Sequence, residues 1–320
     1  MLPVIYLKFK AHNLLGYLPE VLVQHLEEIY GLNRERNLKI IEQLKAITST
    51  LNSVGISPLF MKGTGNLIDG VYTDIGERII GDIDLLVRED EYKKAVNLVK
   101  GIGYANHWGE PRHPENLVHF PRLYNDHFPA DLEIHRIPTE KKDLKEFNSE
   151  MINQQKTAVV TFPDCFVPSP IHRIIHLFVH SQLTNAGHRL GVVSLRESYD
   201  LYLISKKISL TTVIKQIKSS RKAEAYFAIN QKLLGISLLE KQSITSTLYI
   251  WKHDLSLTSP LFAALNRIPW VISQMVFHDY PSKIIEAIQY KKERQQLIHK
   301  LGSRQWYSNH LKIYKKMITG

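Results

Sequence analysis

Apolar residues recur every three or four positions over about residues 18–54, a spacing that predicts helices ending at Gly55. Shorter apolar runs follow in ISPLFMKG, GDIDLLV and ADLEIHRI, and their length and β character predict buried strands. Helical spacing returns near residue 166 and continues almost to residue 320. The pattern predicts an α+β protein in three parts: N-terminal helices over 1–54, a small α/β core over 55–165, and an all-helical domain over 166–320.

Composition narrows the class of protein. Hydrophobic residues make up 44% of the chain and charged residues 22%, which excludes a largely disordered protein. Cys165 is the only cysteine, so neither an intrachain disulfide nor a cysteine-bound zinc is possible. No apolar run approaches the roughly 18 residues that cross a bilayer, and no signal-peptide pattern opens the chain. We therefore expect a cytoplasmic protein with no membrane partner.

Charge is unevenly distributed between the two halves of the chain. Residues 201–320 hold 19 Lys and Arg against 6 Asp and Glu, whereas residues 1–200 hold 22 against 25. A strongly basic half is typical of a docking surface for a polyanion such as RNA. Solvated helix faces rich in lysine produce the same count, so both interpretations stay open at this point.

The residues with the clearest chemistry are Asp82 and Asp84 in GDIDLLV. One intervening residue places both carboxylates on the same face of a strand, while Ile83 and Leu85 point into the core. Two carboxylates this close repel each other and are stabilised by shared divalent cations, which phosphoryl and nucleotidyl transfer require. An Asp-x-Asp pair alone equally fits the solvent-facing end of a strand.

Three further features favour the catalytic interpretation. Gly63 follows a strand and precedes a helix, where a phosphate can approach backbone N–H groups closely, although a turn glycine has the same surroundings. Lys62 and Arg78 can bind phosphate or form surface ion pairs. In ADLEIHRI, Glu133 is flanked by apolar residues on both sides and is the first candidate for a third carboxylate, with Asp131 in reserve.

These residues resemble a known family. LFMKG, Arg78 four positions before Asp82 of GDIDLLV, a helix ending in GIGY, and LEIH are similar to motifs of the uncharacterised nucleotidyltransferases of bacteria, members of the DNA polymerase beta-like superfamily. The resemblance is close over about residues 58–136 and weaker over 165–205. It implies a polymerase beta-like core, with a mixed sheet flanked by helices.

The resemblance also assigns roles to individual residues. It implies that the nucleotide phosphates lie at Lys62, Gly63 and the adjoining Thr64, with Arg78 nearby. It implies that Asp82 and Asp84 are metal ligands and that Glu133 is the third carboxylate, with His135 beside it. Two departures from the family pattern are Thr64-Gly65, where small Ala-type residues are usual, and Glu133, where Asp is more usual.

The resulting hypothesis is a nucleotidyltransferase that uses Mg²⁺ or Mn²⁺ and a nucleoside triphosphate. It would transfer the nucleoside monophosphate to an acceptor hydroxyl and release pyrophosphate. RNA, for instance a transfer RNA end, is the favoured acceptor. The alternatives are transfer to a small molecule or a protein, and a non-catalytic nucleic-acid-binding module.

Two further patterns lie in the helical part of the chain. A zinc hydrolase would use the histidines at i, i+4 and i+8, His172, His176 and His180, although a core or cleft position for them is favoured. Arg196 and Asp200 lie one helical turn apart, and we expect them to pair with each other.

Overall fold

The computed structural model describes residues 1–107, 109, 111, 114–162, 164–239 and 242–319. A seven-stranded mixed sheet with flanking helices and a helical C-terminal region confirms the α+β class. The strands are β1 (Leu59–Phe60), β2 (Asp82–Leu86), β3 (Ala105–Asn106), β4 (Leu123–Tyr124), β5 (Asp131–His135), β6 (Lys156–Ala158) and β7 (Phe166–Pro168).

Helices account for most of the remaining structure. The α-helices are α1 (Leu2–Ala11), α2 (Glu20–Asn52), α3 (Lys62–Ile68), α4 (Tyr92–Gly101), α5 (Ser149–Gln154), α6 (Pro170–Phe178), α7 (Gly187–Leu190), α8 (Leu195–Ser205), α9 (Leu210–Gln216), α10 (Ser220–Leu234), α11 (Ile244–Thr258), α12 (Pro260–Gln274), α13 (Tyr280–Gln289), α14 (Lys291–Leu301) and α15 (Arg304–Thr319). Two π-helical turns, Val179–Thr184 and Met275–Asp279, extend α6 and α12.

The strands lie in the order β3-β4-β5-β2-β1-β7-β6. The pairs β2–β5 and β1–β7 are parallel, and the other pairs are antiparallel. The last strand along the chain, β7, begins at Phe166, one residue past the predicted end of the α/β core at residue 165. The division of the chain into domains stays a prediction.

Each face of the sheet packs against a different group of helices because side chains alternate along a strand. Ile83 and Leu85 of β2 and Leu132 and Ile134 of β5 are fully buried in one cluster with α2 and α4. Burying each such side chain contributes about 1.5–3 kcal/mol. The opposite face, which includes Leu86, packs against α6, α8, α9 and α10. The acidic residues of β2 and β5 therefore face the second group of helices.

Buried polar side chains of α2 hold the loops that lead into β2 and β5. Asn37 donates hydrogen bonds to the carbonyls of Ile75 (2.6 Å) and Arg78 (2.8 Å), and Gln43 donates to Ala130 (2.7 Å). Because buried backbone carbonyls need donors, these side chains satisfy the loops and fix their path. The long N-terminal helix thus positions the start of both acidic strands.

None of the helices in the described part of the chain has the length and hydropathy that a membrane crossing requires.

Candidate active site

Four carboxylates lie on one face of two neighbouring parallel strands, those of Asp82 and Asp84 on β2 and of Asp131 and Glu133 on β5. Asp82 pairs in register with Asp131, and Asp84 pairs with Glu133. Asp84 is 1% exposed and Glu133 is 7% exposed, whereas Asp82, the first residue of its strand, is half-buried. The period of two along each strand places Asp82, Asp84 and Glu133 on the face that the helices cover.

Two basic side chains neutralise this acidic group. Lys62 Nζ lies 2.6 Å from Asp84 Oδ1. Arg122 bridges the two strands, because its Nη2 donates to Asp82 Oδ2 and its Nε donates to Glu133 Oε1, each at 2.7 Å. Charge-assisted contacts of this length are stronger than neutral hydrogen bonds, and here the Asp84 and Glu133 carboxylates are buried while the Arg122 side chain is 54% exposed. The carboxylates therefore lie where positive charge is bound tightly.

His135 completes the buried group. Its Nε2 lies 3.0 Å from Asp84 Oδ1 and 3.6 Å from Glu133 Oε2, and its ring is almost fully buried. One possible metal-ligand atom from each of Asp84, Glu133 and His135 lies within 4.8 Å of the other two, a spacing that can hold a metal ion. Among the residues that the structure describes, no other set of three His, Cys, Asp or Glu meets this criterion.

The electrostatics of the acids differ from one residue to the next. Burial alone raises the pKa of Asp84, but the charge of Lys62 and the hydrogen bond from His135 outweigh it and hold the pKa well below its usual range. Burial acts the same way on Glu133, but the hydrogen bond from His135 and the charge of His119 lower the pKa to about 2. The pKa of Asp82 is raised, first by burial and then by the charges of its two acidic neighbours. Asp82 therefore gains most from an added cation.

The backbone between β1 and α3 is strained at the residue that contacts the acids. Lys62 has a φ of +50°, in the left-handed region that non-glycine residues rarely adopt. Gly63 follows, and a Cβ there would lie 3.1 Å from the Ile80 side chain and 3.8 Å from Arg78. Thr64 is fully buried, and its hydroxyl donates to the Asp82 carbonyl at 3.4 Å. The turn thus brings Lys62 and Gly63 to the carboxylates, with Thr64 beneath them.

Arg78 is fixed from the helical side. Its Nε and Nη2 donate to the two carboxylate oxygens of Asp200 on α8, at 3.1 and 2.9 Å, and Tyr72 donates to the same carboxylate at 2.9 Å. The predicted pair between Arg196 and Asp200 is therefore wrong. The Asp200 side chain is 2% exposed. It binds the buried guanidinium of Arg78 rather than the exposed guanidinium of Arg196 on its own helix, because an exposed ion pair contributes little.

The acids, Lys62 and Arg78 line one cleft with a volume of about 370 Å³. Its opposite wall comes from α6, the π-helical turn after it and α8. His176 and His180 of the histidine stripe line this wall, whereas His172 does not. His180 Nδ1 lies 2.9 Å from Glu197 Oε1 of α8. Within the described residues the stripe forms no metal-binding group, so no support emerges for the zinc alternative.

Arg122 and Glu197 are site residues that the sequence did not indicate. Arg122 precedes β4, and the pairing of Leu123 with Leu132 places it beside Glu133. The one available signal was a basic residue near the end of a β-like run, LVHFPRL, and a single basic residue does not indicate how that run pairs with its neighbours. Asp131, the reserve acid, does not line the cleft.

A family model described as an uncharacterised nucleotidyltransferase matches residues 1–228. The match spans the whole sheet, the acids and the cleft wall formed by α6 and α8. No curated protein is similar enough to the chain to count as a match. The chain belongs to this uncharacterised nucleotidyltransferase family.

Proposed function

We propose that this member of the family is a metal-dependent nucleotidyltransferase of the DNA polymerase beta-like superfamily. It transfers a nucleoside monophosphate from a nucleoside triphosphate to an acceptor hydroxyl and releases pyrophosphate. The observation that carries the proposal is that Asp82, Asp84 and Glu133 line one cleft from two neighbouring parallel strands, with Asp84 paired in register with Glu133. Among the acidic side chains of β5, Glu133 fits the third position better than Asp131, since only Glu133 lines that cleft.

The residues present fit Mg²⁺ or Mn²⁺. Carboxylate oxygens are the ligands that these hard cations prefer, and Asp82, Asp84 and Glu133 supply them. Each of the three acids already forms an ion pair with Lys62 or Arg122, so positive charge at this position stabilises the group. When bound, the cations would supply charge neutralisation of the triphosphate and of the leaving pyrophosphate.

Charge also explains why such an enzyme would need metal to bind its substrate. Six carboxylates line the cleft against five lysine and arginine side chains. A triphosphate brings about four negative charges at neutral pH, so repulsion opposes its entry unless divalent cations come with it. Nucleotide binding should therefore be lost when the metal is chelated.

The remaining residues position the nucleotide. Lys62 and Gly63 border the acids and would contact the phosphates, while Arg78, fixed by Asp200, keeps its guanidinium at the cleft wall. Thr64 would hold the turn against β2, because its hydroxyl donates a hydrogen bond to the Asp82 carbonyl. Against the effect of burial, the hydrogen bond from His135 and the charge of His119 lower the pKa of Glu133 to about 2, which keeps the carboxylate ionised and able to bind a cation. Glu133 would also help to activate the acceptor hydroxyl.

RNA is the acceptor that the charge distribution favours. The excess of positive charge lies in residues 201–320, most of which fall beyond the family match at residue 228. Contacts between lysine or arginine and phosphates weaken steeply as salt is added. Transfer to purified RNA should therefore fall as salt rises from 50 to about 200 mM, whereas transfer to a small molecule or a protein hydroxyl should be much less sensitive.

The test compares wild type with Asp82→Asn and Asp84→Asn, using each α-labelled nucleoside triphosphate, Mg²⁺ or Mn²⁺, and total RNA and protein as acceptors. Asp90→Asn is the matched control, since this aspartate is exposed, pairs with Arg88 and does not line the cleft. We expect both site variants to lose at least about 100-fold in labelling, because weakening a metal site alone costs 10–100-fold. Equal labelling by all four proteins would overturn the proposal. Metal-independent nucleic-acid binding that Asp84→Asn leaves intact, with no labelling, would favour the binding module.

A further inference from the structure

The cationic side chains that line the cleft are not equivalent. Lys62 contacts Asp84, Arg122 contacts Asp82 and Glu133, and Arg78 contacts Asp200, as described above. Arg173 Nη2 lies 2.6 Å from Asp69 Oδ2. Among the described residues, Arg196 alone of the lysines and arginines in the cleft has no carboxylate partner.

The lack of a partner follows from the way α8 is built. Both carboxylates of this helix, those of Glu197 and Asp200, line the cleft, and both already contact other residues. Asp200 accepts bonds from Arg78 and Tyr72, and Glu197 contacts His180 at 2.9 Å. Asp200 lies one helical turn from Arg196, the spacing at which an ion pair ordinarily forms. The fold thus removes the local partners and leaves Arg196 exposed at the cleft wall.

We infer that Arg196 is an anion-binding residue of this cleft and that its ligand is a phosphate group. The inference rests on the proposed function. Arg196 is the side chain in this wall that can bind a phosphate without breaking an existing ion pair, and its planar guanidinium matches two phosphate oxygens at once. The phosphate belongs either to the triphosphate tail of the nucleotide or to the acceptor. The first source is favoured because Arg78, which is bound to Asp200 of the same helix as Arg196, lines the same cleft.

The test uses Arg196→Gln and Arg196→Lys, with Arg221→Gln as the control that removes one exposed positive charge on α10 outside the cleft. Calorimetry in Mg²⁺ first measures the dissociation constant for inorganic tripolyphosphate, which has no base or sugar. A second titration adds inorganic phosphate to protein saturated with a non-hydrolysable α,β-methylene triphosphate. Circular dichroism checks that each variant is folded.

If Arg196 binds the tail, Arg196→Gln should weaken tripolyphosphate binding by about 10- to 100-fold, the range for a lost charged hydrogen bond. Arg196→Lys should recover part of the loss, and Arg221→Gln should match wild type. Loss only in the second titration would assign the residue to an acceptor phosphate. Unchanged binding of both probes by Arg196→Gln would overturn the inference. Failure of wild type itself to bind Mg²⁺ and tripolyphosphate would instead refute the proposed function.

Discussion

A buried ion pair joins Arg78, in the loop that leads into β2, to Asp200 of α8. The contribution of this pair to stability can be tested quantitatively. Its side chains are only 7% and 2% exposed, and Asp200 accepts two bonds from Arg78 and one from Tyr72. Asp200→Ala would leave the guanidinium buried without a counter-charge. Breaking a buried pair in this way costs about 3–5 kcal/mol in the free energy of unfolding.

The double variant Arg78→Met, Asp200→Leu should be more stable than Asp200→Ala alone. Replacing both partners with apolar side chains removes the uncompensated charge, and such replacements are often neutral or stabilising. The surface pair Lys232–Asp254 is the control, because its side chains are 49% and 42% exposed. Asp254→Ala should cost less than about 1 kcal/mol.

Urea unfolding followed by circular dichroism gives these free energies, and the single variants Arg78→Met and Asp200→Leu complete the double-mutant cycle that isolates the interaction of the pair. The expected result is a coupling of more than about 2 kcal/mol for Arg78 and Asp200, since close charged partners are strongly non-additive. A cost below about 1 kcal/mol for Asp200→Ala, or additive losses in the double variant, would refute the reasoning. Either outcome would mean that the pair does not join α8 to the sheet.

Two further predictions concern stability. Gly65→Ala should destabilise the fold by about 1–3 kcal/mol, because a Cβ there would lie 2.4 Å from the Phe60 carbonyl oxygen. Gly31→Ala, also helical but with nothing within 4 Å, should stabilise it by up to about 1 kcal/mol; urea midpoints that rank the two variants the other way would contradict this. Burial lowers the pKa of His188, whose ring stacks on Tyr249, to about 4 from 6.5. The unfolded chain then binds more protons between those values, so stability should fall as pH drops from 6.5 to 4, by on the order of 1 kcal/mol for this partly exposed ring. His188→Phe should lose less stability than wild type between pH 7.5 and 5, and an unchanged pH dependence would exclude the effect.

The period of two along a strand was sufficient to predict which residues of β2 face the core. Ile83 and Leu85 are buried with α2 and α4, and Asp82 and Asp84, which alternate with them, face the cleft, as the spacing indicates. The strand at Glu133 was predicted for the same reason. Its parallel register with β2, which aligns Glu133 with Asp84, depends on packing and pairing far apart in the chain, and no local pattern contains that information.

Side-chain partners were harder to predict than strands. The spacing of Arg196 and Asp200 indicates an ordinary helix pair, but tertiary packing brings the buried Arg78 to Asp200 and decides the contact. Arg122 reaches the acids only because β4 pairs with β5, over residues that carry little periodicity. The strand face that carries the acidic motif can therefore be predicted from the sequence, whereas the side chains that neutralise and orient the acids are determined by the assembled fold.

The most direct test of the central claim is Mg²⁺-dependent transfer of label from an α-labelled nucleoside triphosphate by purified wild type and by Asp84→Asn, with Asp90→Asn as the control. Reactions with total RNA and protein as acceptors would be run with and without a chelator. The account predicts labelled product from wild type and the control, and none from Asp84→Asn or with chelator. Label that persists in Asp84→Asn, or in the absence of divalent metal, would contradict the assignment of the β2 carboxylates as the catalytic metal site.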